Sequence, residues 1–158
     1  MIFFHTLAYN LLLSLLLYYS LYINPRMWLH RMPPEVVAKV PPKTPAEKSL
    51  FRFWGSVTLL VMIGHPLLYV FLLPGVHIVS IIGALLMFFA GFTLWDTLIL
   101  DLLLFASVTP PFIVIPGTEP QDYKNKRYHL VAGAKGLAIS IFSAIILGSL
   151  VFIIRNLI

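Results

Sequence analysis

Long apolar runs without a formal charge constrain this chain more than any motif in it. Phe3–Ile23 contains no Asp, Glu, Lys or Arg and can cross the ~30 Å hydrocarbon core as a helix rising ~1.5 Å per residue. Runs of similar apolar character cover about 55–73, also uncharged, 78–108, which holds Asp96 and Asp101, and 130–154, which holds Lys135. Only 11% of the 158 residues are charged and 59% are hydrophobic, whereas a soluble domain carries roughly a quarter charged residues. The expected fold is an all-α membrane protein. It is a four-transmembrane-helix bundle forming one integral membrane domain over 1–158, with a proline-rich cytoplasmic loop and short interfacial segments. No basic n-region or small-residue cleavage site accompanies the first run, so it reads as a retained helix rather than a signal peptide.

The connections are as informative as the spans. Asn24-Pro25 ends the first helix. Thr44-Pro45-Ala46-Glu47 has a helix-start pattern, with Thr44 as N-cap, Pro45 at the first helical position and Glu47 closing a capping box. It predicts a short surface helix over Pro45–Phe53 that feeds the second span, and Glu35–Lys39 is expected to form another short turn. Pro74-Gly75 reads as a tight turn. The third run is longer than one span needs, so its end must tilt or project past the hydrocarbon.

Orientation follows from the basic residues. Arg26, Arg31, Lys39, Lys43, Lys48 and Arg52 lie in the first loop. Lys124, Lys126, Arg127 and Lys135 lie in or just beyond the third, and only Arg155 is at the opposite end. The positive-inside rule then places 24–54 and 109–129 in the cytoplasm and both termini outside. The net charge of +5 is accordingly read as orientation charge beside anionic lipid, not as a nucleic-acid signal.

Two carboxylates, Asp96 and Asp101, fall near the end of the third run. Five residues span ~140° of rotation beyond a full turn of an α-helix, so the two are not expected to share a face. A carboxylate near the hydrocarbon edge needs a partner. Lys135 lies ~7 Å into the fourth run, at the depth estimated for Asp96. An Asp96–Lys135 ion pair is therefore expected, with Asp101 reaching Arg127, Lys126 or backbone groups. The alternative is a substrate, ion or partner site. His65 falls near the midplane beside Pro66, which withdraws one helical hydrogen bond and frees the carbonyl of Met62. Such a break either kinks a helix or lines a transport path, and a single histidine specifies no haem or chlorophyll.

Ala132, Gly136, Ser140, Ala144 and Gly148 recur at every fourth residue, a seam that allows close helix approach in lipid. Its partner helix is not specified by the pattern. Thr109–Glu119 holds three prolines around Phe112-Ile113-Val114-Ile115 and reads as an extended piece that lies in the interface, dips back, or covers another protein. Tyr123, Lys124, Lys126, Arg127, Tyr128 and His129 follow, and read as an aromatic and basic lipid-headgroup anchor. A sharper alternative is a pocket for a phosphate-bearing lipid or cofactor that uses Asp96 and Asp101 as metal ligands or bases.

The chain has no cysteine, which excludes disulfides, thiolate metal sites and cysteine nucleophiles. No phosphate-binding loop, zinc-protease, nucleophile-elbow or dinucleotide motif is present. No resident metal or cofactor is expected. Met32-Pro33-Pro34-Glu35-Val36, Pro41-Pro42-Lys43-Thr44, the Trp95–Asp101 stretch, Ile115-Pro116-Gly117-Thr118-Glu119 and Asp122-Tyr123-Lys124 together resemble an uncharacterised family of small four-helix bacterial membrane proteins. The resemblance covers most of the chain from Asn24 onward. It implies a bacterial inner-membrane setting and brings no activity with it.

Three functional classes remain open on these residues. The first is a non-enzymatic component that binds a partner membrane protein or itself, with anionic lipid at its cytoplasmic face. The second is a small oligomeric transporter or channel using His65 and Asp96. The third is an enzyme acting on a lipid head group.

Overall fold

A computed structural model describes residues 2–74 and 77–157, so the turn expected at Pro74-Gly75 lies largely outside the described residues. The fold is all-α, with no strand among the described residues. Helices α1 (Ile2–Ile23), α2 (Pro34–Val37), α3 (Pro45–Leu72), α4 (Ile78–Trp95) and α5 (Lys126–Leu157) are joined by shorter helical turns. A π-helical segment, Asp96–Val108, continues α4. Four stretches are long and apolar enough to cross a membrane: Ile2–Ile23, Pro45–Leu72, Ile78–Val108 and Pro120–Leu157. Large apolar side chains such as Phe4, Leu60, Val79, Phe142 and Ile146 stand exposed on the outside of the bundle, where lipid can cover them.

The start of α3 follows its local chemistry. Thr44 Oγ1 accepts from the Glu47 N–H at 3.2 Å, and Glu47 Oε2 accepts from the Thr44 N–H at 2.8 Å. These two bonds complete the capping box. The expected surface helix is not a separate element: α3 runs unbroken from Pro45 to Leu72, because no residue between Phe53 and Gly55 forces a break.

Pro66 sits inside α3, and the carbonyl it frees has a partner. The Tyr9 hydroxyl of α1 donates to the Met62 carbonyl at 2.9 Å. The Tyr9 ring also stacks on His65, at 5.6 Å between centroids and 19° between planes. Burial of an unpaired carbonyl in an apolar bundle is costly, and this hydroxyl removes that cost. Around Tyr9 the main core gathers Leu13, Val70, Ile81, Leu85, Phe88, Phe92 and Ala144.

Helix α4 is central and packs on α1, α3 and, most extensively, α5. The small-residue seam makes that last contact. A Cβ on Gly136 would lie 2.9 Å from Thr93 Cγ2, and one on Gly148 would lie 2.7 Å from Ile82 Cγ1. Between them the Ser140 and Thr93 hydroxyls are 2.8 Å apart. Ser140, Ala144 and Gly148 are buried, whereas Ala132 at the start of the series is exposed. Gly133, outside the four-residue series, is the residue that meets Thr97. The seam therefore joins α5 to α4 within one chain.

The π segment ends abruptly. Thr109 takes a left-handed conformation, φ 49°, unfavourable for a β-branched residue. Pro110 and Pro111 follow and cannot continue a helix. Two hydrogen bonds hold the cap: the Thr109 N–H donates to the Leu104 carbonyl and its hydroxyl to the Phe105 carbonyl, both at 2.7 Å.

Candidate functional site at the loop end

At the end of the bundle away from the termini, the first and third loops fold onto each other. Their own small core contains Leu21, Leu29, Met32, Val36, Ile113, Ile115 and Tyr123. The apolar stretch after the π segment therefore covers this chain's own first loop. Its sequence, read alone, could not say which surface it covers. Tyr123 is fully buried: its hydroxyl accepts from the Ile115 N–H at 2.9 Å and lies 3.0 Å from the Thr118 hydroxyl.

Polar links then fasten the loops. Lys39 Nζ lies 2.7 Å from Asp122 Oδ1, Asn125 Nδ2 donates to Glu35 Oε1 at 2.7 Å, and Arg26 Nε lies 2.6 Å from Glu47 Oε1. The Asp122 hydrogen bond holds the Lys39 ammonium above its ordinary range. Burial pushes the Lys43 ammonium below its ordinary range and does the same to the His30 imidazole. For His30, the nearby Lys43 and Arg31 charges act in the same direction.

Three expectations about site residues need correction here. First, Asp96 and Lys135 form no ion pair among the described residues. Lys135 is exposed, on the flank of α5 rather than on the seam that faces α4. Depth matched but azimuth did not. Second, Asp101 is bound by His129, not by Arg127 or Lys126: His129 Nδ1 lies 3.2 Å from Asp101 Oδ2. Third, Asp96 and Asp101 are not on opposed faces. Residues five apart lie about one turn apart when hydrogen bonds run from i to i+5. The ionisable groups near Asp96 are Asp101, His129 and Arg31.

Tyr123 and His129 also leave the expected headgroup anchor. Tyr123 is within the loop core, and the His129 side chain is only 3% exposed. Lys124, Lys126 and Arg127 remain exposed and Tyr128 half-buried. His65 is half-buried, flanked by the Tyr9 and Phe88 rings, and its Nδ1 has no hydrogen-bond partner. It packs against the Tyr9 and Phe88 rings of the main core rather than against the loop core.

At the same end, the surface opens into a groove of about 570 Å³ between the first loop and α5. Arg31, Arg127 and Lys135 supply its charge, Asn125 and Tyr128 add polar atoms, and Val131 and Ile139 add apolar wall. No carboxylate lines it, and none of its three cations is in an ion pair among the described residues. Sequence reasoning had Arg31 only as orientation charge, because nothing local places the first loop beside α5. No group of three or more His, Asp or Glu that could hold a metal ion occurs among the described residues.

Lys135→Met is consequently expected to leave the melting temperature in neutral detergent within about 4 °C of wild type, since an exposed charge contributes ~0–1 kcal/mol. Thermal unfolding followed by circular dichroism checks this. A large drop would restore the Asp96 pairing.

Compared with protein-family models, curated proteins and solved structures, the chain matches none.

Proposed function

We propose that this chain is a non-enzymatic integral membrane component whose loop-end face lies against anionic lipid at the cytoplasmic side of a bacterial inner membrane. In this reading both termini face outward. The observation that carries it is the groove bounded by Arg31, Arg127 and Lys135, open at the surface and lined by no carboxylate. Each cation close to an anionic bilayer surface adds ~1 kcal/mol of attraction, and the exposed Lys48, Arg52, Lys124 and Lys126 would reinforce the same side. A partner membrane protein or a second copy belongs to this reading. It would use a face other than the seam, because Gly136, Ser140 and Gly148 are already packed on α4.

The test is thermal stability in mixed micelles, comparing phosphatidylglycerol with phosphatidylcholine at equal mole fraction. A ligand bound by the folded state raises the melting temperature with its concentration, so phosphatidylglycerol alone should raise it, and less so at high salt. Equal curves for the two lipids would remove the reading.

One observation favours a transporter as the second reading. His65 Nδ1 and Asn10 Oδ1 are both buried without hydrogen-bond partners, and a polar path needs such unfilled groups. Proton or cation flux into proteoliposomes, lost in His65→Ala and Asp96→Asn, is its requirement.

A further inference from the structure

The groove has the chemistry of a site for one anionic phospholipid, and that chemistry is not spread evenly over the loop end. Along α5 its lining begins with polar residues and ends with an apolar one, with Val131 and Lys135 between. Arg127 and Tyr128 stand in the first turn, while Ile139 is twelve residues on, ~18 Å along the axis. A headgroup and the first part of an acyl chain are divided in the same way. Lys135 lies between the two, and a lysine at that depth reaches back toward the headgroup by laying its methylenes along apolar surface. Arg31 approaches from the first loop, so the charge comes from two elements rather than one helix.

We propose that this groove holds a single phospholipid. Its phosphate is bound by Arg31, Arg127 and Lys135, with Asn125 and Tyr128 donating, and its acyl chain lies along Val131 and Ile139. The inference rests on the reading of the loop end as an anionic-lipid face, and adds one place and one stoichiometry to it. Arginine's planar donor fork suits phosphate oxygens. The apolar wall selects a lipid over a soluble anion. The groove also gives Arg127 a role beside Lys39, Glu35 and Asp122, which are engaged with one another or with Asn125.

The experiment is native mass spectrometry of the full chain from neutral detergent with phosphatidylglycerol or phosphatidylcholine added. The variants are Arg31→Gln, Arg127→Gln and Lys135→Gln, singly and combined, with Lys48→Gln/Lys124→Gln/Lys126→Gln as a control that removes three charges elsewhere on the same end. The expected result is one retained phosphatidylglycerol per chain. Retention weakens roughly fivefold for each groove cation removed and hardly changes in the control. All variants alter exposed side chains, so a melting temperature near wild type in lipid-free detergent verifies folding. If the triple variant keeps the anionic preference, the site is overturned while the lipid-facing reading stands. If wild type shows no anionic preference, both fall. If inorganic phosphate displaces the lipid at equal concentration, the groove is an anion site and the acyl assignment is overturned.

Discussion

Replacing His129 with alanine is expected to destabilise the protein by ~3 kcal/mol, more than any other single polar change. The imidazole is 3% exposed, and its Nδ1 lies 3.2 Å from Asp101 Oδ2. Removing it leaves a cavity beside Phe105 and takes away the side chain that faces the half-buried Asp101 carboxylate. The Gly133 backbone approaches Thr97 too closely for a side chain to intervene, so the helices have little freedom to collapse into the space. Asp101→Asn removes the charge but leaves an oxygen for the ring N–H, and should cost only ~1 kcal/mol. Reversible unfolding in mixed micelles, read by tryptophan fluorescence, separates the two. If His129→Ala is no worse than the surface change Lys124→Ala, the pair contributes nothing and Asp101 is satisfied in another way.

That prediction depends on a contact the sequence could not supply. An α-helical wheel sets Asp96 and Asp101 apart, and the wheel fails because the chain there is π-helical; π segments longer than a turn are rare enough that no propensity signals them. Lys135 matches Asp96 in depth, which hydropathy gives well. The missing coordinate was rotation of α5, and that is fixed by Gly133, Gly136 and Gly148 packing on Thr97, Thr93 and Ile82. Features controlled by neighbouring residues were legible. Thr44 and Glu47 lie three apart and make their box, and Pro66 frees the Met62 carbonyl whatever else the fold does. The hydroxyl that answers Met62 comes from Tyr9, 53 residues away, and no local pattern carries that. The same limit hid the loop core: Ile113 and Ile115 have the apolar character of membrane-contacting residues, and only Met32 and Val36 opposite them show that they are covered by protein.

The seam offers the sharpest contrast, because two glycines of the same bundle should respond with opposite sign. Gly83→Ala adds a methyl where nothing lies within 4 Å. It should be neutral or stabilise by up to ~1 kcal/mol through helix propensity. Gly148→Ala places its methyl 2.7 Å from Ile82 Cγ1 and 3.4 Å from Ile82 Cα. Cγ1 sits on the stiff β-branch of Ile82 and cannot simply swing away, so ~1–3 kcal/mol of overpacking is expected; Gly148→Val should cost more. Ile82→Ala made together with Gly148→Ala removes the colliding atoms, so the pair should cost less than the sum of the two single changes. This coupling distinguishes a clash between α4 and α5 from a general intolerance of α5 to substitution. If Gly148→Ala behaves like Gly83→Ala, α5 does not approach α4 at that level. The rotation that turns His129 toward Asp101 and leaves Lys135 on the groove would then lose its support.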